Sequence, residues 1–285
     1  MADILELKSL TDPKSARAAE VLERGGLVLF PTLPFDVRAE EEALIDPSVL
    51  SGKSKNISYD PATGRLGGSN LEDAPLSLMT DMVRRFSERA DAILSAVTPG
   101  YGPHLQKRRT SFRPGAIETR ALSPRKDDKR LHVDAFPANP VQGRRIFRVF
   151  TNVNPAGEAR QWNLGDQDFE AFAADFKTRL RPKAAGPWRE RLGLTKGRRT
   201  AYDAAMLQLH DGAKFDDRWQ KATPQTPLAL PPGSSWVVYT DSVLHGALSG
   251  QHAFEQTYLM PVQGMENERR SPLRILERLT GRPLI

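Results

Sequence analysis

The chain has no cysteine, which excludes disulfides, thiolate zinc sites, iron–sulfur clusters and a cysteine nucleophile. Any metal it holds must be bound by His, Asp or Glu. It also lacks any run approaching the roughly 20 consecutive apolar residues that a membrane-spanning helix requires. Met1 to Leu10 mixes Asp3, Glu6 and Lys8 where a secretory signal has an apolar stretch, so a cytoplasmic location is expected. No segment repeats at a fixed period. Neither a recognition-helix pattern nor an aromatic-plus-basic strand signature is present, so nucleic acid is not an expected partner.

What is there is the composition of a folded chain. At 285 residues with 39% hydrophobic and 27% charged residues, it can bury the core of one large domain. Its net charge of +6 favours an anionic partner: a phosphorylated or carboxylated small molecule, or an acidic membrane face.

The pattern predicts a single domain over 1–285 with three parts. Residues 1–104 read as a mostly helical flank. Asp12-Pro13 opens a helix closed by Gly25-Gly26, Leu27 to Phe30 is a short strand, and 36–68 is irregular. Leu78, Met79, Met82, Val83, Phe86, Ala90, Ile93, Leu94 and Val97 recur at helical steps up to Pro99-Gly100. Residues 105–262 read as mainly β, with strands near 130–135, 144–152, 204–210, 235–240 and 254–261. A helical insertion near 168–181 carries Phe169, Phe172 and Phe176 behind Asp166 or Asp168. Residues 263–285 end in a basic amphipathic helix.

Within Arg130-Leu131-His132-Val133-Asp134 the His and Asp lie two residues apart, which in an extended chain sends both side chains to one face. A third ligand across a rolled sheet completes a two-His, one-carboxylate site that holds iron(II) and leaves positions open for substrate and oxygen. His245, entering a strand after the Asp241-Ser242 turn, is the expected third ligand. His210 is the competing imidazole, whereas His104 and His252 sit in loop-like, solvated surroundings. An open iron site needs an electron-donating cosubstrate, and a dicarboxylate such as 2-oxoglutarate needs a cation for its distal end. Arg148, in the strand Gly143 to Asn152 and on one parity with Ile146, Phe150 and Asn152, is the expected partner.

Longer runs carry a resemblance. Thr110-Ser111-Phe112-Arg113-Pro114, Arg125 through Pro137, Gly143 through Asn152, Thr195 through Asp203, Met206 through Asp211 and Arg270-Ser271-Pro272-Leu273-Arg274 together resemble the Kdo hydroxylases, iron(II)/2-oxoglutarate-dependent dioxygenases acting on the Kdo sugar of lipid A precursors. The resemblance implies a double-stranded β-helix, the jelly roll also seen in cupins. It implies Fe(2+) held by His132, Asp134 and His245, 2-oxoglutarate and O2 as cosubstrates, and hydroxylation of Kdo at C3 to give Ko with release of succinate and CO2. No catalytic residue beyond the metal ligands is expected.

In the wider superfamily the cosubstrate Arg follows the distal His by about ten residues. Here Gly246 to Leu259 contains no Arg or Lys, and Gln256 stands about there. The salt-bridging role therefore falls to an Arg on an earlier strand: Arg148, with Arg113, Arg120 and Arg144 as alternatives, while Asn152 and Gln256 contribute hydrogen bonds. Arg113, Arg120, Arg125, Lys126 and Arg130 are the expected substrate-binding cations for Kdo-lipid A, an anionic glycolipid, with the sugar carboxylate near the cluster Lys107, Arg108, Arg109, Arg125 and Lys126. The acyl chains of such a substrate stay in the bilayer, so a peripheral contact with the cytoplasmic face of the inner membrane is expected, through the basic C-terminal helix. The alternative is a cupin-like metal- or sugar-binding protein without redox turnover.

Overall fold

Polar residues interrupt two of the most deeply buried strands, and the architecture explains why. The computed structural model describes residues 3–285 except 53, 118–122, 185, 187–189, 191 and 194. Its strands are β1 Ile4–Glu6, β2 Leu27–Phe30, β3 Ile57–Asp60, β4 Arg65–Gly67, β5 Gln106–Arg113, β6 Arg145–Asn152, β7 Arg160–Gly165, β8 Gln225–Leu230, β9 Ser235–Tyr239, β10 His245–Ser249 and β11 Ala253–Met260. Its helices are α1 Ala18–Glu23, α2 Asp73–Val97, α3 Phe169–Phe176, α4 Ala201–Phe215, α5 Asp217–Ala222 and α6 Pro272–Thr280. An eight-stranded sheet in the order β1-β2-β9-β6-β11-β5-β3-β4 faces a three-stranded sheet β10-β7-β8. All pairings are antiparallel except β1 with β2.

The two faces of the large sheet do different work. One carries Val28, Val237, Tyr239, Phe147, Val149 and Tyr258 against α1, α2 and α4. Further along, Phe112 and Phe254 meet Met79, Met82, Val83 and Phe86 from the first half of α2. The other face turns Leu27, Leu29, Phe150, Trp236 and Val238 onto Trp162, Leu164, Leu228, Leu230 and Ala247 of the small sheet, with Phe150 stacked on Trp236 at 5.1 Å. Because β6 and β11 are covered on both sides, every residue in them is buried. Register places Thr257 opposite Arg148 and Glu255 opposite Phe150. Buried charge thus collects on the face between the sheets, where it must be paired or used.

Several expectations hold. Asp12 caps the first helical segment by accepting from Lys14 N at 3.0 Å, and α2 stops before Pro99 with its apolar stripe buried. Asp168 caps α3 by accepting from Ala171 N at 2.8 Å. Ser271, Pro272 and the left-handed Gly281 bound α6.

Others are corrected. The flank 1–104 carries the expected helices but also supplies β1 to β4 to the large sheet, and the stretch 36–68, expected to be irregular, contains β3, which pairs with both β5 and the edge strand β4. The expected strand at 204–210 is part of α4, opened by a capping box between Thr200 and Asp203. Its apolar positions Tyr202, Ala205, Met206, Leu209 and Ala213 bury at helical steps, and a seven-residue window is too short to separate that period from alternation. Residues 130–135 are extended but form an isolated bridge, His132 with His245, rather than a strand. Among the described residues no helix is long and apolar enough to cross a membrane.

Candidate metal centre

The segment around His132 is pinned to the β9–β10 connection, which crosses from the large sheet to the small one. His132 N donates to His245 O at 3.0 Å, His245 N returns a bond to His132 O at 2.9 Å, and Asp134 N donates to Thr240 O at 2.7 Å. This holds the chain extended, so His132 and Asp134 share a face as their spacing predicts. Each imidazole is then turned by its own backbone. His132 Nδ1 donates to Arg130 O at 2.8 Å and His245 Nδ1 to Val243 O at 2.9 Å. A carbonyl only accepts, so both Nδ1 atoms carry hydrogen and both Nε2 lone pairs are free for a metal. Trp162 stacks on His245 at 5.3 Å, and the two imidazoles lie 4.6 Å apart.

One donor atom from each of His132, Asp134 and His245 lies within 4.8 Å of the others, with His132 Nε2 3.8 Å from Asp134 Oδ1. Charge states match a metal site. Burial, then His245 and Lys214, hold the His132 pKa well below its ordinary value, and burial chiefly lowers His245. For Asp134, burial acts to raise the pKa, but the charge of Arg148 is the largest of the opposing influences that outweigh it and leave the carboxyl well below the usual range. Two neutral imidazoles and a carboxylate are the donor set that suits iron(II) with positions left open.

On one side of these residues lies a cavity of about 140 Å³ lined by Arg113, Arg148, Arg160, Glu255, Phe150 and Trp162 among others. Arg148 Nη1 spans it, 3.1 Å from Asp134 Oδ2 and 3.4 Å from Glu255 Oε1. Beyond Glu255, Arg113 Nη2 sits 2.5 Å from Oε2. Burial works to raise the Glu255 pKa, yet Arg113 and Arg148 bring it below its ordinary value. The guanidinium groups form an anion-accepting recess whose charge is partly balanced by Glu255 and Asp134.

On the other side a larger cavity of about 790 Å³ is lined by Arg125, Lys126, Arg179, Arg199 and Lys214, with Asp128, His210 and Asp211. His132 and Asp134 line both cavities, so the triad sits at their junction.

The remaining sequence-predicted residues divide. Arg148 and Arg113 lie in the inner cavity, and Arg125 and Lys126 in the outer one. Asn152 does not reach the inner cavity: its Nδ2 donates to Glu158 O at 3.1 Å and Leu230 O at 2.9 Å, holding a loop. Gln256 is likewise turned away, its Oε1 accepting from Thr110 at 2.6 Å and its Nε2 donating to Arg108 O at 2.9 Å. The reason is strand parity, which points Glu255 inward and its neighbour to the opposite face. Arg144 donates to Val141 O and Gln106, both at 2.8 Å. Arg130 pairs through its side chain with Asp217 and serves the site through its carbonyl. Arg120 lies outside the described residues.

The basic cluster also splits. Lys107 pairs with Asp91 on α2 and Arg109 lines a pocket beside β3 and β4, while Arg125 and Lys126 remain at the site. His210 lies in α4 with its ring 5.4 Å from that of His132, and its Nδ1 is 3.0 Å from Asp211 Oδ1; it is a neighbour of the triad rather than a member. His104 is exposed, but His252 is buried, contrary to expectation. Sequence reading missed Arg160, Trp162, Glu255, Asp128 and Lys214. For Glu255 a signal existed, a charge inside an otherwise apolar strand.

Facing β-sheets with a two-His, one-carboxylate cluster between a cationic recess and an open cleft define the class: a double-stranded β-helix protein of the non-heme iron type. The family model described as 3-deoxy-D-manno-oct-2-ulosonic acid (Kdo) hydroxylase matches residues 7–283, and the chain belongs to that family. A crystal structure of the Kdo hydroxylase KdoO, a non-heme Fe(II) alphaketoglutarate dependent dioxygenase, in complex with cobalt(II) is similar at 40% identity and a TM-score of 0.95, covering 99% of this chain and 97% of that one. Its complex with alphaketoglutarate and Fe(III) is similar at 39% identity and a TM-score of 0.94, with 99% and 97% covered. The complex with succinate and Fe(III) gives 39% and 0.93 over the same shares. No curated protein sequence matches the chain.

Proposed function

We propose that this Kdo hydroxylase family member is an iron(II)- and 2-oxoglutarate-dependent dioxygenase that hydroxylates C3 of a Kdo residue on Kdo-lipid A, giving Ko with release of succinate and CO2. The observation that carries the reading is the placement of His132, Asp134 and His245 where an arginine-lined recess meets a wider basic cleft. His132 and His245 would hold iron(II) through Nε2 and Asp134 through a carboxylate oxygen. Iron bound there with 2-oxoglutarate and O2 supplies the oxidising equivalent that breaking an unactivated C–H bond needs.

The chain's own groups bind and orient. Arg148 receives the distal carboxylate of 2-oxoglutarate, aided by Arg113 across Glu255, because a guanidinium fork matches a carboxylate's two oxygens. Phe150 and Trp162 form an apolar wall of that recess. In the outer cleft Arg125 and Lys126 face an anionic glycolipid, which offers phosphates and a sugar carboxylate.

For contact with the cytoplasmic face of the inner membrane, the exposed cations at the rim of this cleft, Arg125 and Lys126, are better supported than α6. In α6 Arg274 is engaged by Glu268 and Glu277, and Arg278 by Glu170, while Leu273, Ile275 and Leu276 are buried.

The test is direct. Purified protein with iron(II), 2-oxoglutarate, O2 and Kdo-lipid A is expected to add one oxygen atom to Kdo and release matching succinate. If neither oxygen incorporation nor succinate is detected, while metal and glycolipid still bind, the dioxygenase reading fails and a binding protein remains.

A further inference from the structure

We infer that Lys214 is the anchor for the substrate's own carboxylate, and that by gripping it the outer cleft sets which carbon meets the metal. This rests on the reading of the site as a Kdo hydroxylase, whose substrate class is named by the family: a 3-deoxy-oct-2-ulosonic acid. In such a sugar the carboxylate carbon is C1, the anomeric carbon is C2 and the deoxy methylene is C3. The carbon to be oxidised is two bonds from the carboxylate. A cation that holds this carboxylate while C3 faces the metal must lie deep in the cleft, beside the triad.

Most cations of the outer cleft are at its rim. Arg125 pairs with Asp211 and its side chain is 59% exposed; Arg179 pairs with Asp216 and is 63% exposed; Lys126 is exposed. Arg199 donates to Pro137 O at 2.6 Å. Lys214 differs. It projects from α4 into the cleft, is only 1% exposed, and lines the same cavity as His132, Asp134 and His210. Its charge acts on His132, Asp134 and His245 together.

Its present contacts are long. Nζ is 3.6 Å from Asp128 Oδ1 and 3.4 Å from Arg125 O. An ammonium has three donors, and burying one beside a prospective dication is electrostatically unfavourable unless an anion joins it. The sugar carboxylate is that anion. Once bound it completes the ammonium's hydrogen bonds, and the short C1–C2–C3 linkage leaves C3, rather than a more distant ring carbon, nearest the metal.

The experiment uses the full chain loaded with iron(II). In Lys214→Gln the KM for the Kdo glycolipid is expected to rise about tenfold or more, the loss of one charge-assisted hydrogen bond. The KM for 2-oxoglutarate is expected to stay within about twofold, and succinate to appear in excess of hydroxylated sugar. Lys214→Arg should restore part of the coupling. Equal rises in both KM values with an unchanged succinate-to-product ratio would mark a purely structural lysine and overturn the inference.

A second measurement does not depend on turnover: binding of free Kdo and of its C1 methyl ester to the cobalt(II)-loaded protein. Wild type is expected to prefer the acid, and Lys214→Gln to lose that preference. If wild type fails to hydroxylate Kdo but shows this preference, the reaction assignment falls and the carboxylate subsite stands. If both proteins treat acid and ester alike, the subsite falls.

Discussion

His132 and His245 exchange backbone hydrogen bonds in both directions, at 3.0 and 2.9 Å, so the distance between their imidazoles is set by main chain rather than by flexible side chains. The residue after His245 makes this approach possible. A Cβ on Gly246 would stand 2.6 Å from the carbonyl oxygen of Lys129, and a backbone carbonyl cannot swing aside as a side-chain end can.

Gly246→Ala is therefore expected to push residues 129–132 away from β10 and separate the metal donors. The cost in stability should be about 1–3 kcal/mol, the range for overpacking, and affinity for cobalt(II) should fall at least about tenfold, since donor placement is altered. Urea denaturation and a cobalt titration read the two effects. Unchanged cobalt affinity would mean that the bridge does not set the donor spacing.

Arg148 touches both sides of the chemistry, pairing with Asp134 at 3.1 Å and Glu255 at 3.4 Å. Arg148→Ala should raise the KM for 2-oxoglutarate by about tenfold or more, and by more than it weakens cobalt binding. Arg148→Lys keeps the charge but loses the fork, so it should fall between the two. An unaltered 2-oxoglutarate requirement would pass the role to Arg113 or Arg160.

The sequence made the triad legible because the two-residue parity of an extended chain survives even where no regular strand forms, as at His132 and Asp134. It made the placement of Arg148 beside the triad legible for the same reason. It misplaced Gln256 because distance along the chain from His245 was counted instead of parity on β11, and a shift of one residue exchanges the buried cavity for the opposite face. Lys214 and Asp128 could not be linked from sequence: their meeting depends on how α4 packs across the loop at 125–128. The strand expected at 204–210 failed because its few apolar residues fit both periods, although the Thr200–Asp203 capping box was a usable helix signal.

Behind the turn that leads to His245, Arg145 grips Asp241 through Nε at 2.8 Å and Nη2 at 3.0 Å, both side chains 1% exposed. Asp241→Asn is expected to leave a buried guanidinium without its counter-charge and to cost about 3–5 kcal/mol, seen as a lower urea midpoint. Replacing both partners, Arg145→Met with Asp241→Leu, should cost less than the single change. A harmless single variant would show that the pair is not what secures the turn before His245.

Metal binding should itself stabilise the fold, because the donors converge only in the native chain. Cobalt(II) in excess is expected to raise the melting temperature by an amount equivalent to about 2.7 kcal/mol at a hundred times the dissociation constant. Asp134→Ala removes one donor and leaves Arg148 paired with Glu255 alone, so the cleft walls persist while the metal loses its anionic ligand. The variant should melt cooperatively and show almost no cobalt-induced shift, and His132→Ala should behave alike. A full shift in either variant would remove that residue from the ligand set, and His210, whose ring lies 5.4 Å from that of His132, would become the imidazole to test next.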